Sequence, residues 1–154
     1  MRKLFFSFAL LIFLAACSEE APKNKIFAIH GVAIDGYDPV AYFESGEAIL
    51  GDPSLRVDRG DVTYHFLNGD NQLLFEKNPE KYLPAYGGWC AYAIAENNTK
   101  MQPDPTLWKI QDGKLLLFYD DWTSKITGSL LEEWETQPEE YEEKADANWS
   151  KMHP

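Results

Sequence analysis

The residues of this chain that could do chemistry centre on one thiol, Cys90, which lies in the aromatic and glycine-rich run at residues 86–93. A thiolate combined with the imidazole of His65 or His30 and the thioether of Met101 would favour a soft metal such as Cu(I). Zinc would need about four nitrogen or sulfur ligands, and the chain has no Cys-x-x-Cys pair. The sequence therefore names Cys90, His65, His30 and Met101 as candidate ligands for copper or another soft metal.

Three other roles for Cys90 stay open at this point. Free cysteine is among the most buried residue types, and glycines beside bulky aromatics indicate close backbone packing, so an inert buried thiol is the interpretation that the surroundings favour. A nucleophilic thiol would need a base within hydrogen-bond reach, and the histidines are distant in sequence. Redox sensing or another covalent attachment is the third role. We name no catalytic residue and expect a protein that is not an enzyme.

A second candidate site is a ligand pocket built mainly from aromatic side chains, which combine apolar area with a polar tip. Its predicted members are Tyr37, Asp38, Tyr86, Trp89 and Tyr92. Core packing is the competing interpretation of the same aromatic residues.

The N-terminus has the features of an export signal, which we place at residues 1–16. Its apolar run, Leu4 to Leu14, is shorter than the roughly 20 residues that a membrane-spanning helix needs, so we do not expect a permanent span. The end of this segment, Leu14-Ala15-Ala16-Cys17, resembles the lipobox of bacterial lipoproteins. That resemblance implies cleavage before Cys17 and attachment of a diacylglycerol to its thiol.

A lipidated Cys17 would place the protein on a membrane outside the cytoplasm. Its partner would be the lipid bilayer, reached through acyl chains, and residues 17–25 would form the lipidated cysteine and a flexible tether. Ser18, where an aspartate would favour the inner membrane, points to the periplasmic face of the outer membrane in a Gram-negative cell envelope. Lipidation would also leave Cys90 without an internal disulfide partner.

The charge balance argues against a nucleic-acid partner. The 154 residues carry 14 basic and 25 acidic side chains, a net charge of −11. Removal of Arg2 and Lys3 with the signal would leave 12 basic side chains against 25 acidic ones, or −13, and such a surface repels phosphate backbones. Seven glutamates between Glu132 and Glu143 predict a solvated helical face; a face that meets an unidentified protein is the alternative.

Turn signals and hydrophobic periodicity predict a mixed α+β fold: one small domain with β-hairpins packed against short helices and a helical C-terminal segment. We expect this domain at residues 26–120 and a C-terminal helical extension, packed on it, at residues 121–154. Asp-Gly favours type I′ hairpin turns, and Asp112-Gly113 marks the clearest hairpin. Gly60-Asp61 marks another.

The helices are predicted from caps and prolines. Asp38 and Pro39 indicate a short helix at 39–44. Asn68 is expected to cap a helix at 70–77 with Leu73, Leu74 and Phe75 as its apolar stripe, and Pro138 to begin the last helix, through Trp149. The run at 86–93 is expected to be strand-like.

Several ordered segments between residues 31 and 149 carry a resemblance to a known family. They are residues 31–34, 36–43, 79–82, 86–93, 104–105, Trp108, 112–115 and 145–149. These segments resemble the bacterial YHS-domain proteins, of the exported lipoprotein branch. Because YHS modules occur beside heavy-metal transport and copper-handling domains, the resemblance implies possible metal binding.

Together these features predict a membrane-anchored, extracytoplasmic YHS-domain lipoprotein that binds a ligand, with a soft metal such as copper as the named candidate, without catalysis. The alternative is an envelope protein-interaction or scaffold module with neither metal nor small-molecule ligand. A Cu(I) titration would separate the two.

Overall fold

The structure, a computed structural model, describes residues 25–120 and 128–153. It confirms the mixed α+β class. The strands are β1 Ala28–Ile29, β2 Val32–Ala33, β3 Asp52–Arg59, β4 Val62–Phe66, β5 Asp104–Gln111 and β6 Lys114–Phe118. The helices are α1 Ala41–Glu44, α2 Gly69–Lys77, α3 Pro79–Tyr82, α4 Ala91–Asn97, α5 Leu130–Trp134 and α6 Pro138–Met152, with short 3₁₀ turns at Ile34–Gly36 and Ala85–Gly88.

The strands form two sheets, and both predicted hairpins are confirmed. The first sheet has the order β1-β2-β4-β3, in which only the β2–β4 pair is parallel. The second is the antiparallel β5–β6 hairpin. At its turn Asp112 and Gly113 have φ of 48° and 76°, and this left-handed pair is what a type I′ turn requires.

Strand β6 lies between two hydrophobic core clusters. Leu116 and Phe118 belong to the cluster built with α4, α5 and α6, whereas Leu115 and Leu117 belong to the cluster built with β4 and α2. All four side chains are fully buried. Because alternate residues of a strand point to opposite faces, the apolar run 115–118 fills both cores from a single strand.

The C-terminal helix α6 packs against α4. Tyr141 and Ala145 are its buried residues, one helical turn apart, and they join the same core cluster as Ile94 of α4. The glutamates on the opposite side of α6 at positions 139, 140 and 143 are exposed. The amphipathic pattern predicted for this segment is therefore present from residue 138 onward.

Two local predictions are wrong. The run at 86–93 is a 3₁₀ turn followed by the start of α4, because left-handed residues break the extended chain and the alanines that follow are strong helix formers. In α2, Phe75 is buried but Leu73 and Leu74 are exposed. Three consecutive residues of a helix point in different directions around its axis, so residues 73–75 cannot all face the core. The buried residues are Asn71 and Phe75, which are four positions apart and lie on one face of the helix.

Candidate functional site

Cys90 lies in the core at the N-cap of α4, with no exposed surface. The backbone N–H of Tyr119 donates to its Sγ at 3.2 Å, and its own N–H donates to the carbonyl oxygen of Met101 at 3.0 Å. Burial raises the pKa of the thiol, although the nearby N–H groups of Ala93, Tyr119 and Tyr92 act in the opposite direction. These surroundings agree with a buried, protonated and inert thiol.

The candidate metal ligands are not assembled around this thiol. His65 lies on β4 between the buried residues Tyr64 and Phe66, and therefore on the other face of the strand from the core. His30 is exposed in the β1–β2 turn, and Met101 meets Cys90 through the main chain. Across residues 25–120 and 128–153 no group of three or more His, Cys, Asp or Glu side chains could hold a metal ion.

Asp38 has a structural role that explains its burial. It is fully buried, and its Oδ1 accepts from the N–H groups of Val40 at 2.8 Å and Ala41 at 3.3 Å, at the start of α1. Its Oδ2 accepts from the N–H of Leu67 at 2.8 Å and from Nδ2 of Asn71 at 2.6 Å. This carboxylate joins three segments, so its hydrogen-bonding capacity is used within the fold.

The aromatic members of the predicted pocket are divided between the two core clusters. Tyr37 packs against the cluster of β4 and α2, whereas Tyr86, Trp89 and Tyr92 belong to that of α4 and α6. Trp89 packs edge-on against Phe27 with ring centroids 5.3 Å apart. The five predicted residues are therefore split between two cores, and among the clefts lined by described residues Tyr86 lines the one described below.

Tyr86 begins a left-handed turn that depends on the two glycines after it. Tyr86, Gly87 and Gly88 have φ of 53°, 61° and 82°. A Cβ at residue 87 would lie 1.9 Å from the carbonyl oxygen of Lys25, because the N-terminal segment crosses here and the N–H of Phe27 donates to the carbonyl of Gly87 at 2.8 Å. Tyr86 itself is a non-glycine residue in a strained region, and such residues cluster at functional sites.

Helix α6 holds the strained Tyr86 in place. The Tyr86 hydroxyl donates to Oδ1 of Asp146 at 2.9 Å, and the ring meets Trp149 edge-on with centroids 6.1 Å apart. Asn148 Nδ2 donates to the carbonyls of Ile94 and Ala95, at 3.0 Å each. Burial, and then the bond to Asp146, raise the pKa of Tyr86 well above its usual range, so the phenol stays protonated.

Lys114 extends this contact into a network. Its Nζ donates to Oε1 of Glu142 at 2.7 Å and to Oδ2 of Asp146 at 3.2 Å, and hydrogen bonding to these carboxylates raises its pKa. Glu142 also accepts from Nε2 of Gln111, whose Oε1 accepts from Nε1 of the buried Trp134 at 3.0 Å. The network therefore runs from the core to the surface beside Tyr86.

A cleft of about 240 Å³ opens beside this network, and we call it the charged cleft. Its side chains that can bind by charge or by an aromatic ring are Glu80, Lys81, Tyr86, Lys114, Asp146 and Trp149, and Leu83, Ala85 and Gly113 complete the lining. Four of the segments that carry the family resemblance, residues 79–82, 86–93, 112–115 and 145–149, each contribute to it.

The sequence named only Tyr86 among these residues. Lys114, Asp146 and Trp149 all stand in the segments that carry the resemblance, and this is the signal that could have identified them.

Comparison with protein-family models, with curated proteins and with solved structures finds no match for this chain. The resemblance to YHS-domain proteins therefore stays a prediction from the motifs.

The predicted lipid attachment site, Cys17, lies outside the described residues. In the part of the chain that the structure does describe, none of the helices combines the length and apolar character needed to cross a membrane.

Proposed function

We propose that this protein is a lipid-anchored, non-enzymatic binding module of the cell envelope, and that the charged cleft holds its ligand. The observation that carries the proposal is the meeting of Lys114, Asp146 and Trp149 around the strained Tyr86 in one cleft. Side chains that are distant in sequence, converge in a concave site and surround a strained residue are the usual features of a binding site.

The chemistry of the cleft supports binding rather than catalysis. Neither histidine nor cysteine is among its lining residues. Hydrogen bonds to carboxylates raise the pKa of Lys81 and of Lys114, so both stay protonated and neither can act as a nucleophile or general base near pH 7. Charged groups that keep their charge suit the positioning of a polar ligand.

The soft-metal form of the proposal has little support in the described residues. Cys90 is buried with a raised thiol pKa, and metal binding requires the thiolate. Titration of the purified protein with Cu(I) tests this point. A stoichiometric complex that disappears in Cys90→Ser, with the fold intact, would restore the metal proposal.

Binding at the charged cleft can be tested by NMR. The ¹⁵N-labelled Cys17→Ser protein, which lacks the lipid, would be mixed with a library of small polar compounds. We expect saturable shifts at residues around Tyr86, Lys114 and Asp146, and their loss in Asp146→Asn. Glu143→Gln is the matched control, because Glu143 is exposed on the same helix and outside the cleft. Compounds that bind only elsewhere, or none that bind below about 1 mM, would contradict the proposal.

The anchor is tested separately. Labelling of cells with a radioactive fatty acid should mark the wild-type protein and not Cys17→Ser. Label that persists in the variant would end the lipoprotein proposal and leave the cleft unaffected.

A protein-interaction module is the second candidate, and one surface favours it. Asp112, Glu139, Glu142, Glu143 and Asp146 line a hollow of about 250 Å³ beside the charged cleft, so its lining is entirely acidic. A lysine-rich peptide is the natural probe of such a surface. Binding that weakens with salt and in Glu139→Gln/Glu143→Gln, together with no ligand in the charged cleft, would favour this function.

A further inference from the structure

The charged cleft is electrically balanced within a strongly acidic protein. Its lining holds two acidic side chains, Glu80 and Asp146, and two basic ones, Lys81 and Lys114, whereas the whole chain has a net charge of −11. A site with charges of both signs does not favour a polyanion or a polycation, and it complements a ligand that carries both charges.

The charged groups keep hydrogen-bonding capacity for such a ligand. An ammonium has three N–H donors. Lys114 uses two on Glu142 and Asp146, and Lys81 uses two on Glu44 and the Tyr82 hydroxyl. Among the hydrogen bonds of residues 25–120 and 128–153, each lysine therefore retains one donor. The Asp146 carboxylate accepts one bond on each oxygen, retains further lone pairs, and its side chain is 53% exposed.

The spacing of two of these groups matches an α-amino acid. Lys114 Nζ and Asp146 Oδ2 are 3.2 Å apart. In an α-amino acid, the N–Cα, Cα–C and C–O bond lengths, with the N–Cα–C angle, place the ammonium nitrogen and a carboxylate oxygen about 3 Å apart. A ligand carboxylate on Lys114 and a ligand ammonium on Asp146 can thus form a ring of alternating charges.

The rest of the lining sets the size and polarity of the ligand. Leu83, Ala85 and the rings of Tyr86 and Trp149 supply apolar surface. The volume of about 240 Å³ is below the roughly 300–1,000 Å³ of sites for drug-sized molecules. The ligand is therefore small, with one apolar portion.

We infer that the charged cleft binds a free α-amino acid with an apolar side chain, its carboxylate held by Lys114 and its ammonium by Asp146. This inference rests on the proposed function and specifies its ligand class.

The test is an NMR titration of the Cys17→Ser protein with L-leucine, glycine, N-acetyl-L-leucine and L-leucinamide. Leucine should give saturable shifts around Tyr86, Lys114 and Asp146. Blocking either charge should weaken binding at least about tenfold, the value of a lost charge-assisted hydrogen bond. Glycine should bind more weakly, because it has no side chain to cover the apolar surface. Absence of leucine binding, or equal binding of the blocked compounds, would overturn the inference.

Substitutions in the protein test which side chain binds each charged group of the ligand. Asp146→Asn should weaken leucine binding at least about tenfold and leave the binding of N-acetyl-L-leucine unchanged. Lys114→Gln should also weaken leucine binding at least about tenfold, and it should leave the binding of L-leucinamide unchanged. Glu143→Gln should bind leucine as the wild type does. Backbone spectra of each variant establish that it folds. Where a variant has unfolded, the blocked compounds measured on the Cys17→Ser protein decide the matter, because they remove one ligand charge at a time without a further substitution.

The same titrations distinguish a failure of the amino-acid inference from a failure of the proposed binding function. D-glucose and the library of polar compounds are run in parallel. If one of them binds in the cleft and leucine does not, the amino-acid inference falls and the binding function stands. If none of the probes perturbs the cleft, both fall.

Discussion

The hydroxyl of Tyr86 donates a 2.9 Å hydrogen bond to Asp146, which lies 60 residues further along the chain. This bond joins the left-handed turn before α4 to the C-terminal helix. The hydrogen bond holds Tyr86 at a φ of 53°. Loss of this bond should therefore lower the stability of the fold as well as change the cleft.

Tyr86→Phe should lower the free energy of unfolding by about 1 kcal/mol, the usual net contribution of one such hydrogen bond. Urea denaturation followed by circular dichroism measures this. Tyr37→Phe is the control, because no hydrogen bond of its hydroxyl is found among the described residues, and it should change stability by less than about 0.5 kcal/mol. Equal losses in the two variants would contradict the role of the Asp146 bond.

Tyr64→Phe, unlike Tyr86→Phe, should not lower the free energy of unfolding. The Tyr64 side chain is 1% exposed, and its hydroxyl has no hydrogen-bond partner within the described residues. A buried unpartnered hydroxyl costs about 1–3 kcal/mol, so its removal should leave stability unchanged or raise it. A loss as large as that of Tyr86→Phe would show that the hydroxyl has a partner, such as a bound water.

Gly87→Ala should be among the most destabilising single substitutions, at about 3 kcal/mol, because a left-handed alanine costs roughly 1–2 kcal/mol and the new methyl group would collide with the Lys25 carbonyl. Gly46→Ala is a matched control: Gly46 has φ of 68° but nothing within 4 Å of the added Cβ. Gly46→Ala should show the backbone cost alone. Similar losses in both variants would mean that the N-terminal segment moves aside freely.

The Cys90 thiol should be protected until the protein unfolds. Because it is fully buried, a maleimide should modify the folded Cys17→Ser protein at the rate of global unfolding, and the protein in urea at once. Mass spectrometry of the adduct gives both rates. Rapid modification of the folded protein would place the thiol at an accessible site and reopen the redox and metal roles.

The same thiol makes stability depend on pH in the alkaline range. Burial raises the thiol pKa in the folded state, so the folded protein holds this proton more tightly than the unfolded chain. The stability that this tighter proton binding gives is fully present below the ordinary thiol pKa of about 8.5. Above that pH, the free energy of unfolding falls by up to about 1.4 kcal/mol per pH unit. Urea midpoints between pH 7 and 9.5 should fall more steeply for the wild type than for Cys90→Ala. Parallel curves would contradict the raised pKa.

Sequence reasoning predicted the features that depend on neighbouring residues. The Asp112-Gly113 turn, the Asn68 cap, which accepts from the N–H of Asn71 at 2.9 Å, and the helix start at Pro138 are set by local chemistry. Asp38 was also predicted to bind the amides at the start of α1, and it does so. Each of these needs only a few adjacent residues to specify it.

The candidate site was not predicted from the sequence, because the residues that form it are far apart in the chain. Tyr86, Lys114 and Asp146 meet only when the β5–β6 hairpin and α6 pack together, and no local pattern encodes that meeting. The error at residues 86–93 has the same origin. Gly87 is required by the passing Lys25 backbone, a contact over 62 residues that no window around the glycine contains.

Strand β6 couples the two halves of the molecule. Leu116 and Leu117 are neighbours in the chain but fill different cores, so a cavity at either position weakens the strand that both halves share. The two cores therefore cannot melt separately, and the domain should behave as one cooperative unit. The amides of β6 should accordingly be the last to exchange with deuterated solvent.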